Sequence, residues 1–175
     1  MPSYFLPFKS GDKVLEVGGG NNPNFRPNLD CRKLPAVDIV ADLNEPWPVE
    51  SGIYNGVFGM YILEHISWRS VRQFISELNR VLQPAGIAVM VTANLLEQAR
   101  KIVEAPVWDE GFSCMVFGDN DYPENTHRCG LSPQYATQLF SENRFSEVTI
   151  FEHPNCKTDM IIQARKSGAI ITRSL

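Results

Sequence analysis

The segment KVLEVGGG, residues 13–20, joins a short apolar run to three consecutive glycines. An apolar run of this length suits a buried strand, and glycines directly after it suit a tight turn. Glycine lets the backbone approach a ligand without a Cβ atom in the way, and Glu16 adds a carboxylate beside the turn. We therefore predict a first strand at Lys13–Val17 that runs into a ligand-binding turn.

Strands and helices alternate after this turn. Apolar runs predict further strands, namely VDIVADL at residues 37–43, GVFGMYIL at residues 56–63 and IAVMVT at residues 87–92. Apolar residues at three- and four-residue steps predict an amphipathic helix over Ser67–Leu82, ended by Pro84 and Gly86. Three prolines between Asn21 and Pro35 argue against a long helix in the first crossover.

The second half of the chain begins with a predicted helix at Leu95–Val103. Residues 105–129 lack a sustained period and are predicted to form a long loop over the site. Ser132-Pro133 opens a predicted helix that runs to about Asn143, because serine suits the N-cap and proline the first helical position. Residues 148–151 and 160–164 form a final predicted strand pair.

This alternation predicts an α/β fold, a Rossmann-like and mostly parallel sheet with helices on both faces and an antiparallel edge strand. In such a sheet the ligand binds beyond the carboxyl ends of the strands. We expect one domain over residues 1–175. It comprises a cofactor half at about 12–95, an acceptor-side insert at about 95–131, and a closing helix and strand pair at 132–166.

Composition narrows the class of partner. The chain has 175 residues, a formal net charge of −4 and no long run of lysine or arginine, which disfavours nucleic acid as a partner. Its four cysteines form no CxxC pair, so no metal site is expected. No signal peptide and no apolar run of the ~20 residues needed to span a membrane are evident. We expect a cytoplasmic protein that acts on a small molecule, with its oligomeric state left open.

The order and spacing of four motifs carry a family resemblance. Glu16-x-Gly18-x-Gly20, VDIVADL, YILEHI and RVLQPAG follow one another over about residues 12–95, and together they resemble the class I S-adenosylmethionine-dependent methyltransferase family. Pro23 stands where a dinucleotide-binding fingerprint would need its third glycine. Asn55 and Ala85 also depart from the family pattern. The resemblance implies S-adenosylmethionine as the cofactor.

The resemblance also implies roles for the first half of the site. Gly18 and Gly20 would pass under the methionine part of the cofactor, and Glu16 would accept from its amino group directly or through water. Asn21 would add a polar contact. An acidic residue at the end of the second strand would hold the ribose hydroxyls, and Asp30 in NLDCR is the first choice.

Asp38 replaces Asp30 in that role if VDIVAD is instead the second strand. By the same resemblance Asp42 would lie near the adenine amino group, with the Leu43 amide close by. Met60 and Tyr61, followed by Ile62, would line the sulfonium side or else pack in the core.

A methyl acceptor with a hydroxyl or amine can require a general base within reach of its proton. His127 is the best-placed candidate, because the loop before the 132–143 helix should overhang the fifth strand; otherwise it orders that loop. Glu64 and His65 either hold the strand–helix junction or contact a ligand. Four aromatic residues could form an apolar lid or pack the insert onto the sheet, namely Trp108, Phe112, Phe117 and Tyr122.

The function expected from the sequence is S-adenosylmethionine-dependent methyl transfer to a small-molecule acceptor. Two alternatives remain, because the fold alone does not exclude them. One is a non-catalytic cofactor-binding or partner subunit with the same fold. The other is an NAD-dependent oxidoreductase.

Overall fold

A seven-stranded sheet runs through the centre of the protein, which is described by a computed structural model covering residues 6–105 and 107–168. The strands are β1 (Val14–Val17), β2 (Asn28–Asp30), β3 (Ile39–Val40), β4 (Tyr54–Met60), β5 (Leu82–Ala93), β6 (Phe145–His153) and β7 (Cys156–Lys166). Four α-helices accompany them in the described ranges: α1 (Val71–Val81), α2 (Leu95–Glu104), α3 (Glu110–Phe117) and α4 (Pro133–Glu142).

The strand order is β3-β2-β1-β4-β5-β7-β6. The first five strands in this order are parallel, and β7 pairs antiparallel with both β5 and β6. This arrangement confirms the predicted fold class of a mostly parallel Rossmann-like sheet with an antiparallel edge. The chain moves outward in opposite directions from β1, so the crevice between β1 and β4 is the topological switch point, where ligands bind in open α/β sheets.

The apolar residues on one face of the sheet pack under two helices. Helix α1 buries Phe74, Ile75 and Leu78 completely, and α4 adds Leu139 and Phe140. These side chains meet a contiguous cluster from β1, β4, β5 and β7. The three- and four-residue steps recognised in the sequence are therefore the steps that place α1 on the core, although the helix begins at Val71 instead of Ser67.

The opposite face carries a smaller apolar cluster that includes Val14, Phe58 and Val89. Residues before the first strand pack on it, as does Phe25 from the first crossover. Phe25 meets Phe58 edge to face at a centroid distance of 5.5 Å. Aromatic residues from irregular segments thus contribute to the closure of this face.

Two predicted strands are shorter than the sequence pattern indicated. VDIVADL contributes only Ile39–Val40 to the sheet, because the Asp38 carboxylate accepts from the Asn28 backbone amide and holds the preceding residues in a turn. GVFGMYIL leaves the sheet after Met60, since Tyr61 adopts a φ of 53° and a 3₁₀ turn follows at Leu63–His65. Residues 18–27, all within the described range, form turns and bends without a helix.

The long loop predicted over residues 105–129 is partly wrong. It contains α3, whose first turn is capped by the Asp109 side chain accepting from the Phe112 amide at 3.0 Å, and a 3₁₀ turn at Pro123–Asn125. Helix α3 has no buried residue, so no apolar period marks it in the sequence. Helix α4 is confirmed, with the Ser132 hydroxyl accepting from the Tyr135 amide at its start.

Among the residues that the structure describes, no helix combines the length and the apolar character needed to cross a bilayer.

Candidate cofactor and acceptor sites

A cavity of about 520 Å³ lies at the carboxyl ends of the parallel strands, at the switch point between β1 and β4. Strand ends and the insert both contribute to its wall. The lining residues are Gly18, Asp30, Cys31, Arg32, Asp42, Leu43, Asn44, Tyr61, Ile62, His65, Ile66, Tyr122, Glu124, Asn125 and Arg128. We call this space the first cavity, and its volume lies within the range of small-molecule and cofactor pockets.

The glycine turn after β1 forms one wall of the first cavity. Gly18 has a φ of 74° and Gly20 a φ of 54°, in the left-handed region that favours glycine. A Cβ atom at Gly18 would lie 2.7 Å from the Ile62 side chain. Asn28 holds the turn from β2, accepting from the Gly19 amide at 3.1 Å and donating to the Gly20 carbonyl at 2.9 Å. Gly20 itself lies outside the cavity wall.

Glu16 lies behind this turn and does not line the first cavity. Its carboxylate accepts from the backbone amides of Asn24 and Phe25, each at 2.6 Å, and the residue is 2% exposed. Burial raises its pKa, and these hydrogen bonds act in the opposite direction. The structure therefore shows Glu16 ordering the first crossover. Asn21, also outside the wall, is an exposed residue of the same crossover.

Asp30 and Asp38, the two candidates for the ribose, have different surroundings. Asp30 ends β2, is 4% exposed and lines the first cavity, and its Oδ2 accepts from the Gly20 amide at 3.0 Å. Asp38 precedes β3 and pairs with Arg26 at 2.6 Å. NLDCR is thus the end of the second strand, and Asp30 is the candidate that this geometry favours.

Asp42 and Leu43 follow β3 and also line the first cavity. The Asp42 carboxylate accepts from the Asn44 backbone amide and side-chain amide, each at 2.9 Å. Asn44 in turn accepts from the Ser67 amide at 3.0 Å, which links this turn to the start of α1. The buried Leu43 supplies apolar surface beside these polar groups.

The end of β4 separates the three residues predicted for the sulfonium side. Tyr61 and Ile62 line the first cavity, whereas Met60 packs against the apolar cluster on the opposite face. The Tyr61 hydroxyl donates to Asp159 Oδ2 at 2.8 Å, and burial, followed by this bond, raises the pKa of Tyr61 far above its usual range. Tyr61 is thereby tied to β7.

The insert contributes residues to the first cavity that sequence reasoning did not assign to the cofactor. The Arg32 guanidinium stacks over the Tyr122 ring at 4.2 Å, and this contact joins the end of β2 to the insert. Glu124, Asn125 and Arg128 complete this side. The sequence offered one signal for Arg32, its position two residues after Asp30, the acid that ends β2. Its partner Tyr122 lies ninety residues further along the chain, and no local sequence pattern indicates that contact.

A second cavity of about 490 Å³ adjoins the first, and Arg128 lines both. Its wall is formed by Glu64, Trp68, Ala93, Leu95, Gln98, Val116, Phe117, His127, Arg128, Cys129 and Gly130. These residues come from the 3₁₀ turn after β4, the segment before α1, the end of β5, the first part of α2, the end of α3 and the last part of the insert. The second cavity therefore lies between the carboxyl edge of the sheet and the insert.

His127, the predicted general base, lies in the wall of the second cavity. Burial lowers its pKa, while the backbone carbonyls of Val116 and Met115 act to raise it. Its ring meets that of His65, a residue of the first cavity, at a centroid distance of 5.0 Å. The two imidazoles thus stand at the boundary of the two cavities, and the hydrogen bonds of His127 to α3 show that it also orders the insert.

Known proteins share this fold at low sequence identity. The sequence matches no protein-family model and no curated protein. The CurJ carbon methyltransferase superposes with a TM-score of 0.62, at 16% identity over 93% of this chain and 50% of its own. An S-adenosylmethionine-dependent methyltransferase from Thermotoga maritima gives 0.65 at 12% identity, over 93% and 84% of the two chains. This chain has the class I methyltransferase fold.

A third similar structure is phosphoethanolamine N-methyltransferase 2 from Haemonchus contortus in complex with S-adenosyl-L-methionine, with a TM-score of 0.64 at 13% identity. The superposition covers 92% of this chain and 50% of the Haemonchus protein. The class I methyltransferase fold of this chain thus spans about half the length of the CurJ and Haemonchus proteins. Likeness at this distance establishes the fold, whereas the chemistry depends on the residues that line the two cavities.

Proposed function

We propose that the chain binds S-adenosylmethionine in the first cavity and transfers its methyl group to a small-molecule acceptor. One observation carries this proposal: the Gly18 turn, Asp30 and Asp42 come from three different strand ends and line one cavity at the switch point. A nucleoside with a charged tail needs this combination of a close backbone approach, a ribose acceptor and a base pocket.

The residues present fit the parts of the cofactor. The buried Asp30 carboxylate is the proposed acceptor for the ribose hydroxyls, and Asp42 and Leu43 are proposed for the adenine end. Gly18, with no Cβ atom, is proposed to lie under the methionine part. The Tyr61 ring suits the sulfonium, because an aromatic face attracts a cation.

The other predicted cofactor residues take supporting roles in this proposal. Glu16 and Gly20 hold the turn from behind through their bonds to the crossover amides and to Asp30. Asn21 and Met60 are outside the cavity wall, and no contact to the cofactor is proposed for them.

The bound cofactor would supply an activated methyl group, and the chain's own residues would bind, orient and shield it. Positioning is the main requirement of an in-line methyl transfer. The Arg32–Tyr122 contact supports this role, since it brings the insert to the cofactor side and can keep water from the first cavity. Solved neighbours in complex with S-adenosylmethionine or S-adenosylhomocysteine support the choice of cofactor.

Calorimetric titration of the protein with S-adenosylhomocysteine, S-adenosylmethionine and NAD tests the cofactor. We expect saturable one-to-one binding of the first two and none of NAD, because Pro23 replaces the glycine on which a dinucleotide pyrophosphate depends. Asp30→Asn should weaken the binding, with Glu152→Gln, an exposed β6 residue, as the matched control. Saturable NAD binding with no response to S-adenosylhomocysteine would overturn the proposal.

A methyl-donor turnover screen separates an enzyme from a non-catalytic subunit of the same fold. Release of S-adenosylhomocysteine on addition of a small molecule supports the enzyme. Tight cofactor binding with no turnover across hydroxyl, amine and acidic-carbon acceptors would favour the non-catalytic subunit.

A further inference from the structure

The second cavity has a mainly apolar wall. Trp68, Leu95 and Phe117 are 62%, 41% and 54% exposed, which is unusually high for such large side chains, and all three line it. Val116 and Ala93 add further apolar surface. The cavity volume of about 490 Å³ matches that of pockets that hold the body of a small organic molecule.

Two of the polar side chains in this wall are more than nine-tenths buried. Glu64 and Gln98 are each 4% exposed and both line the second cavity. Gln98 belongs to the first part of α2 and is buried where it lines this cavity. A side-chain amide both donates and accepts hydrogen bonds. Its position in the cavity wall therefore suits a ligand that carries a polar group.

Glu64 is held rigidly in this wall. Its Oε2 accepts from the Thr92 hydroxyl at 2.9 Å, and its backbone carbonyl accepts from the amides of Arg128 and Cys129 at 2.7 and 3.0 Å. Burial raises the pKa of the Glu64 carboxyl to about 7, and nearby Asp159 adds to this. A carboxyl with this pKa can both accept and release a proton near neutral pH.

The charges around Glu64 limit the ligand. Asp159 of β7 faces it, as does the Cys129 thiol, whose pKa burial and Glu64 raise to about 11, while His127 and Arg128 belong to the insert side of the wall. An anionic ligand would bring a second negative charge beside a buried carboxyl, which is unfavourable. A neutral body with one hydrogen-bond donor fits this environment.

We propose that the second cavity binds the methyl acceptor, a neutral molecule with an apolar, ring-sized body and one hydroxyl or amine directed at Glu64 and Gln98. This proposal rests on the proposed function and deepens it by naming the acceptor class. The O–H or N–H bond breaks and its proton passes to the Glu64 carboxylate. The acceptor oxygen or nitrogen would form the new bond to the methyl carbon as the carbon–sulfur bond breaks. The electron pair of the carbon–sulfur bond would stay on sulfur, which leaves S-adenosylhomocysteine as the product.

A series of probes with one apolar body tests the acceptor class without turnover. Indane, 5-hydroxyindane, 5-aminoindane and indane-5-carboxylate are titrated into the protein without cofactor, and binding is recorded by calorimetry and by quenching of tryptophan fluorescence. We expect the hydroxyl and amine probes to bind at least tenfold more tightly than indane. The carboxylate should bind most weakly, because its charge would face Glu64. The ratio of the two donor probes identifies which donor the site prefers.

Variants place the probes in the second cavity. Phe117→Ala should weaken the binding of every probe about tenfold. Phe151→Ala, at an exposed β6 position, should leave the affinities unchanged. Glu64→Gln should remove the pH dependence of 5-hydroxyindane binding between pH 6 and pH 8, and Glu152→Gln should retain it. Tightest binding of the carboxylate, or insensitivity of all probes to Phe117→Ala, would overturn the proposal.

The same variants separate failure of this proposal from failure of the proposed function. Probe binding requires no cofactor, so a protein that binds S-adenosylhomocysteine but not the hydroxyl or amine probe overturns only the acceptor class. Probe binding without any response to S-adenosylhomocysteine overturns the proposed function. In the presence of S-adenosylmethionine, Glu64→Gln should lower methylation of a bound donor probe more than 100-fold. If His127→Gln instead lost methylation to this extent while Glu64→Gln kept full activity, His127 and not Glu64 would be the residue that accepts the proton.

Discussion

Asp30 and Asp38 differ in a way that single substitutions can measure. Asp30 faces the first cavity, whereas Asp38 binds Arg26 and the Asn28 amide. We predict that Asp30→Asn weakens the binding of S-adenosylhomocysteine by about 1.5–3 kcal/mol. This is the scale for a hydrogen bond to a charged group. Asp38→Asn should leave this affinity unchanged. Calorimetry with S-adenosylhomocysteine measures both.

An analogue of S-adenosylhomocysteine without ribose hydroxyls provides the control for this prediction. If Asp30 bonds the ribose, wild type and Asp30→Asn should bind the analogue equally, because the interaction is already absent. A full loss of affinity for the analogue in Asp30→Asn would show instead that the substitution disturbs the Gly20 turn, to whose amide Asp30 also bonds.

Glu64 makes stability depend on pH in a direction opposite to that of most carboxylates. Burial raises its pKa from 4.5 to about 7 in the folded state. The folded state therefore holds the proton more tightly, so the Glu64 contribution to stability is full below about pH 4.5 and is lost as the pH rises to about 7. A shift of this size corresponds to about 3 kcal/mol.

Wild type should lose stability between pH 5 and pH 8 as the Glu64 carboxyl loses its proton, and Glu64→Gln should not. We therefore predict that, over this pH range, the free energy of unfolding of Glu64→Gln rises by about 2–3 kcal/mol relative to that of wild type. Urea denaturation of the two proteins at both pH values measures the difference. Glu152→Gln, at an exposed site, should show no such gain. Parallel pH profiles for wild type and Glu64→Gln would mean that Glu64 ionises as an exposed carboxyl does.

Helices α1 and α3 differ sharply in how much of each is buried. Helix α1 buries six of its residues, whereas α3 buries none and depends on its Asp109 cap and the bonds of His127 to its carbonyls. Low burial predicts a low free energy of local opening. We predict that the α3 amides exchange with deuterium at least 100-fold faster than those of α1, as measured by hydrogen-exchange mass spectrometry.

Asp109→Ala should accelerate exchange in α3 further, since loss of an N-cap costs about 1 kcal/mol, and should leave α1 unaffected. Val116 and Phe117 line the second cavity, so 5-hydroxyindane should slow exchange at the end of α3. Exchange in α3 as slow as that in α1 would show that the insert is rigidly packed by contacts other than these.

Irregular segments contribute to the closure of one whole face of the sheet. Phe8 meets Phe25 at 5.4 Å and lies against the Gly56 backbone, where a Cβ atom would overlap its ring. We predict that Phe8→Ala lowers the free energy of unfolding by about 2–4 kcal/mol, somewhat below the cost for a fully buried phenylalanine. Urea denaturation measures this loss.

Phe151→Ala is the matched control, because Phe151 is 46% exposed on β6 and its removal leaves no enclosed space. It should cost less than about 1 kcal/mol. An equal cost for the two variants would mean that the segment before β1 does not close this face.

Local pattern was sufficient for the fold class and for part of the first cavity. Alternation of apolar runs and amphipathic steps predicts the parallel sheet, and the residues at its strand ends predict where ligands bind. Gly18, Asp30, Asp42, Leu43 and Tyr61 all follow or end strands, and all five line the first cavity. Such positions are predictable because strand ends converge on one edge whatever the intervening loops do.

Packing in the folded protein decides which polar groups line a cavity and which stabilise the fold. Glu16 has its carboxylate bonded to the amides of Asn24 and Phe25, Arg32 meets Tyr122 from a distant segment, and Glu64 shares a cavity with Gln98. The physical reason is that hydrogen bonding and burial depend on neighbours brought together by folding. Sequence pattern specifies the edge of the sheet at which a residue emerges, and packing across that edge decides what the residue contacts.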